Sequence, residues 1–152
     1  MAVTDQQVAS LRAFLTAQSE QDAERAGQTL RQLARSGAAE GIGELIYAAF
    51  VVATRRKFAP RWTLADVVHY VAHLRARNAE DTNELDPAAA ENQLRIALGE
   101  QIAPHPSEED RGTAQFILLL ELTHDLRLTP SELDELLGQA RTLAEQLTRQ
   151  RP

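Results

Sequence analysis

The sequence predicts an all-α fold, a compact orthogonal-type bundle of about seven helices forming a single domain, and four observations carry that expectation. Apolar residues recur with a 3.6-residue period along most of the chain. No stretch shows the period-two alternation of a half-buried strand, and capping residues stand before several of the helical runs. The 152 residues are enough to bury a core of ordinary size without staples.

Thr4 with Gln7 forms a capping box, and Val8, Leu11 and Leu15 then mark one face of a first helix reaching Ser19. A second helix from about Asp22 to Arg35 groups Ala26, Leu30, Leu33 and Ala34, and Ser36-Gly37 closes it. The third, from about Ala39 to Lys57, is apolar nearly all round and is expected at the centre of the core. Pro60 breaks it, and Thr63 caps a fourth helix from Leu64 to Arg77. After an acidic loop from Ala79 to Leu85, Asp86 and Pro87 open a fifth helix that Gly99 stops, with Leu94 and Leu98 inward. Glu100 to Pro106 reads as the least structured stretch. Ser107 with Asp110 opens a sixth helix containing Phe116 to Leu122, and Thr129, Pro130 and Glu132 open a seventh reaching about Arg149. Ile46, Ala49, Phe50, Leu118 and Leu122 should be buried, because their two helices carry the fewest polar positions.

Composition removes several function classes. Without cysteine the chain has no thiol nucleophile, disulfide or Cys-ligated metal. Its first residues lack the pattern of a secretory signal, and the longest apolar run, Ile42 to Ala53, is too short to span a bilayer; a cytoplasmic protein with no membrane segment is expected. The net charge of −6 is unevenly distributed. Arg55, Arg56, Lys57, Arg61, Arg75 and Arg77 stand against Asp66 alone in residues 55–77, whereas residues 78–110 hold nine acids against Arg95. Arginine outnumbers lysine 15 to 1, a bias associated with GC-rich bacterial genomes.

Asp66, His69 and His73 are the sharpest candidate metal ligands, since an i, i+4 histidine pair with a carboxylate at i−3 can converge on one ion. At about 100° per residue, however, they lie opposite Leu64, Val67, Val68, Val71 and Leu74, and no third strong ligand is visible; a solvated polar face is the expectation, with no metal or cofactor. His124 and Asp125 are adjacent on a helix and diverge. Ser107 and Ser131 sit in helix-start contexts and not in a nucleophile elbow. Gly41-Ile42-Gly43 lacks the preceding strand and the third glycine of a phosphate-binding motif, so close helix packing is its expected role. Asp81-Thr82-Asn83 fails as a calcium loop, because Asp86 stands where glycine is required and Asn92 where the closing glutamate belongs.

The basic block with Trp62 inside it is the best argument for nucleic acid, as arginines and an aromatic suit phosphate and base contact. Its arginines avoid the start of the fourth helix, where a helix-turn-helix reader makes its base contacts. Pairing with the acidic 78–110 segment, within the chain or across a dimer, is the more economical expectation. In the last helix Leu136, Ala140, Leu143 and Leu147 form a two-heptad seam that could pack on the chain's own core or on another helix.

The segments RRKFAPRWTLADVVHYVAHLRAR at Arg55 to Arg77 and DPAAAENQLRIALG at Asp86 to Gly99 resemble small uncharacterised helical proteins of actinobacterial type. That resemblance covers about a quarter of the chain and implies no activity, cofactor or site residue. The sequence is therefore read as a non-enzymatic protein–protein interaction or regulatory module, binding another protein or itself as a two-fold homodimer. The surfaces expected to act are Arg55, Arg56, Lys57, Arg61, Trp62, Arg75 and Arg77, together with Leu136, Leu143 and Leu147. A nucleic-acid-associated regulator using Arg55 to Arg77 is the alternative, and an enzyme built on His69 and His73 is a more distant one.

Overall fold

The computed structural model describes residues 3–36, 41–77 and 85–150. Over those residues the chain is all-α and contains seven helices: α1 (Asp5–Ser19), α2 (Ala23–Ser36), α3 (Ile42–Phe58), α4 (Leu64–Arg77), α5 (Pro87–Ala97), α6 (Glu108–Leu126) and α7 (Pro130–Arg149). Their starts follow the local chemistry. Thr4 and Thr129 each accept a hydrogen bond from the third helical amide while Gln7 and Glu132 reach back, closing two capping boxes. Asp86 and Ser107 cap α5 and α6 through single side-chain bonds of 2.9 and 3.1 Å.

The third helix is central, as its nearly continuous apolar surface requires. It packs against α5, α6 and α7, while α1 bridges α2 to α6 and α7. Ala49, Phe50, Leu118 and Leu122 are wholly buried; Ile46 is half-buried at the margin of the same core. In α2 the inward face carries Ala26 and Thr29, leaving Leu30 exposed against expectation. The principal support of α2 is α1, which covers only a narrow stripe, and the Thr29 hydroxyl is satisfied within the helix by the carbonyls of Arg25 and Ala26. The side chains of Leu33 and Ala34, the Gly37 stop, the residues before Gly41 and the Asp81 loop lie outside the described residues.

Gly41 precedes α3 with φ 107°, so its role is left-handed backbone geometry. Close packing does not explain Gly43, where an added Cβ would meet nothing within 4 Å. Residues 100–107 have no regular structure, yet Asn92 holds them, donating to the Ala103 carbonyl at 2.8 Å and accepting from the His105 amide at 2.8 Å. Among the described residues no helix is long and apolar enough to cross a membrane.

Candidate interaction surface

Helix α3 ends at Phe58 and α4 begins after Thr63, so the Arg55 to Arg77 block wraps a corner made by the end of one helix and the length of the next. Thr63 and Asp66 fix that corner reciprocally. The Thr63 amide donates to Asp66 Oδ2 at 2.9 Å, and the Asp66 amide donates to Thr63 Oγ1 at 3.1 Å. Below them Phe58 meets the Tyr70 ring edge-on, with centroids 5.4 Å apart, and Lys57 Nζ lies 5.7 Å from the same ring centroid.

The six cations of the block have separate fates. Arg55 Nε donates to the Ala97 carbonyl at the end of α5 at 3.1 Å, and Arg56 reaches Gln139 of α7 at 3.1 Å. Arg77 is neutralised by α6, with Glu121 at 2.7 Å and Asp125 at 2.9 Å. No ion pair joins the block to the acids of 85–110 among the described residues, and Glu80, Asp81 and Glu84 of the expected 78–110 partner segment lie outside them. The partners of Arg77 lie beyond that segment, on α6. Lys57, Arg61 and Arg75 form no salt bridge among the described residues, although Lys57 acts on Asp125 at longer range. Trp62 is half-buried against the core, which leaves less of its ring for stacking on a base.

The buried arc of α4 consists of Val67, Tyr70, Val71 and Leu74. Leu64 and Val68, expected within that arc, are 50% and 37% exposed. The helix is rotated so that Tyr70, 8% exposed, enters the interior and donates its hydroxyl hydrogen to Asp125 Oδ2 at 2.8 Å. Burial, reinforced by the bond to Asp125, raises the Tyr70 pKa far above the ordinary phenol value. At Asp125 burial acts to raise the pKa, but the hydrogen bonds from Arg77 and Tyr70 outweigh it and hold the carboxyl below its usual range.

Asp66, His69 and His73 do share one place: with Lys57, Arg61 and Tyr70 they line a shallow depression of about 420 Å³. The chemistry of that set opposes a cation. Asp66 is engaged by the Thr63 amide, and Lys57 and Arg61 place two positive charges beside the imidazoles. A different trio brings its potential ligand atoms within 4.8 Å of one another, namely Asp86, His105 and Asp110. There the Ser107 amide donates to His105 Nδ1 at 3.2 Å, which leaves the neutral ring's proton on Nε2, 3.5 Å from Asp86 Oδ2. A metal at Nε2 would have to displace that proton, and the starts of α5 and α6 already favour the two carboxylates. The trio suits an imidazole clip between two helix starts. Sequence reasoning missed it because His105 lies in an irregular segment with no periodic frame.

His124 is exposed while Asp125 turns to Tyr70 and Arg77, so the adjacent pair diverges as expected. Ser107 is the α6 cap, and Ser131 is exposed in the first turn of α7. In the last helix Leu136 and Ala140 are fully buried in the chain's own core, where α7 packs on α3; Leu143 and Leu147 are half-buried. Only the latter two members of the seam retain surface for another helix. A cleft of about 800 Å³ lies between the end of α1, α6 and the start of α7. Its cations Arg12 and Arg77 are already paired with Asp134 and with Glu121 and Asp125.

No protein-family model, no curated protein and no solved structure matches the chain.

Proposed function

We propose that the chain is a non-enzymatic helical module that acts by binding a protein, another chain or a second copy of itself, through the outer side of α4 and the end of α3. One observation carries this reading: Lys57, Arg61 and Arg75 form no salt bridge among the described residues, and Leu64 and Val68 are exposed on the same helix α4, so charge and apolar surface occur on neighbouring strips of one corner. Protein interfaces combine an apolar centre with a polar rim in this way. Nucleic acid is the less favoured partner, because three of the six cations are engaged internally and Trp62 is half-buried.

A photo-crosslinking residue at Val68, compared with one at the exposed Gln28 of α2, tests the reading in cells of the source organism. A protein adduct of defined mass at position 68, absent at 28 and suppressed by Arg61→Glu with Arg75→Glu, is expected. Equal labelling at both positions, or none at 68, overturns it.

A further inference from the structure

We infer that the segment docking on α4 is acidic and amphipathic, with carboxylates that enter the Lys57, Arg61, His69 and His73 depression and apolar side chains that cover Leu64 and Val68. This inference rests on the reading that α4 carries a protein-binding surface.

The depression has more fixed cations than carboxylates in its lining. Its single carboxylate, Asp66, accepts from the Thr63 amide, and the Tyr70 hydroxyl donates away from the depression to Asp125. Toward solvent the Lys57 ammonium and the Arg61 guanidinium outnumber the Asp66 carboxylate, so the lining keeps a net positive charge that favours an occupant with carboxylates. The shallowness of the site suits side chains presented by a larger partner better than an enclosed small molecule.

The helix geometry adds the apolar half. Leu64, Val68 and Arg75 lie within about 40° of one another around α4, and His69 and His73 follow roughly 100–140° further round from Val68. Two parallel strips result, one apolar with Arg75 at its end and one of imidazoles that shares the depression with Lys57 and Arg61. A partner helix with leucines on one stripe and glutamates on the next matches both. A phosphodiester backbone could use the cations but would gain nothing from Leu64 and Val68, and the chain's net charge of −6 opposes a long polyanion.

The test uses the full chain and three fluorescein-labelled probes of equal length: a helical peptide of Glu and Leu at i, i+4 spacing, its Lys and Leu counterpart, and oligothymidylate. Fluorescence anisotropy is read at moderate salt, and the urea midpoint of every variant is checked so that lost binding is not mistaken for lost folding. The Glu and Leu peptide should bind, Lys57→Glu with Arg61→Glu should weaken it by about tenfold or more, and Leu64→Ser with Val68→Ser should weaken it several-fold. Arg31→Glu on α2 should leave it unchanged. Equal binding of the Lys and Leu peptide, tighter binding of oligothymidylate, or indifference to both double variants overturns the acidic partner. If the Val68 crosslink forms, to a partner or to a second copy, while the Glu and Leu peptide does not bind, the acidic class falls and the protein-binding reading stands. If the crosslink also fails, both fall.

Discussion

Tyr70 on α4 and Asp125 on α6 are joined by a 2.8 Å hydrogen bond across 55 residues of sequence, and Arg77 closes on the same carboxylate from the end of α4. The principal packing partner of α4 is α5, so this polar contact ties the exposed helix to a second neighbour and sets which of its sides faces outward. Among the described residues no buried side-chain polar atom is left without a partner, and the phenol satisfies that condition through Asp125.

Removing the acceptor should therefore cost more than removing the donor. Asp125→Ala leaves a buried hydroxyl unpaired and should destabilise by about 1–3 kcal/mol, against about 0.5–1.5 kcal/mol for Tyr70→Phe. Urea denaturation of both single variants and the double variant yields their coupling. Additive effects would show that the bond contributes nothing to stability.

The same pair contributes to the pH dependence of stability. The Tyr70 pKa is raised by burial and by Asp125, so its contribution is fully present below the unfolded phenol range near 10 and is lost as pH rises above it. The Asp125 pKa is lowered by the Arg77 and Tyr70 hydrogen bonds against the effect of burial, so its contribution is present above about 4 and is lost as pH falls through the folded value. Tyr47 is also raised, by burial opposed by Arg55, and adds to the alkaline side. Urea midpoints should form a plateau that falls at both ends, and Tyr70→Phe should shrink the alkaline fall without abolishing it. An unchanged alkaline limb in that variant contradicts the assignment.

Phe50→Ala should cost about 3–5 kcal/mol, since the ring is wholly buried in the central helix and its removal leaves a cavity. An unaltered denaturation midpoint would show that α3 does not organise the core.

Arg127 caps α6 in the left-handed region at φ 49°, where its Cβ crowds the following carbonyl. Arg127→Gly relieves about 1–2 kcal/mol of strain against about 0.5–1 kcal/mol of added chain entropy, a net gain of up to roughly 1.5 kcal/mol. Thermal melting should move upward; a lower melting temperature would mean that the guanidinium contributes a contact of its own.

The legible features of the sequence are those whose causes are local. Thr4 with Gln7, Asp86 with Pro87 and Thr129 with Glu132 act within one turn, and the helices begin where these caps stand. Phe50 and Leu118 could be placed in the core because α3 and the middle of α6 have few polar positions to turn outward. The rotation of α4 could not be read. Periodicity grouped Leu64 and Val68 with Val67 and Val71, but the long-range bond from Tyr70 to Asp125 and the support from α5 favour a different arc. The basic block was visible as a count of charges, yet the engagement of Arg55 by the Ala97 carbonyl and of Arg77 by α6 depends on chain crossings that composition does not encode.

Lys57 is the chain's single lysine, and its ammonium stands over the Tyr70 ring at the edge of the cationic depression. Every other fixed side-chain cation is a guanidinium, inert to acylating reagents under conditions that modify an amine. Acylating chemistry therefore has one side-chain amine address in this sequence, beside the surface proposed for binding. Blocking that amine removes one positive charge from the depression and leaves the remainder of the fold's arginine contacts as they are.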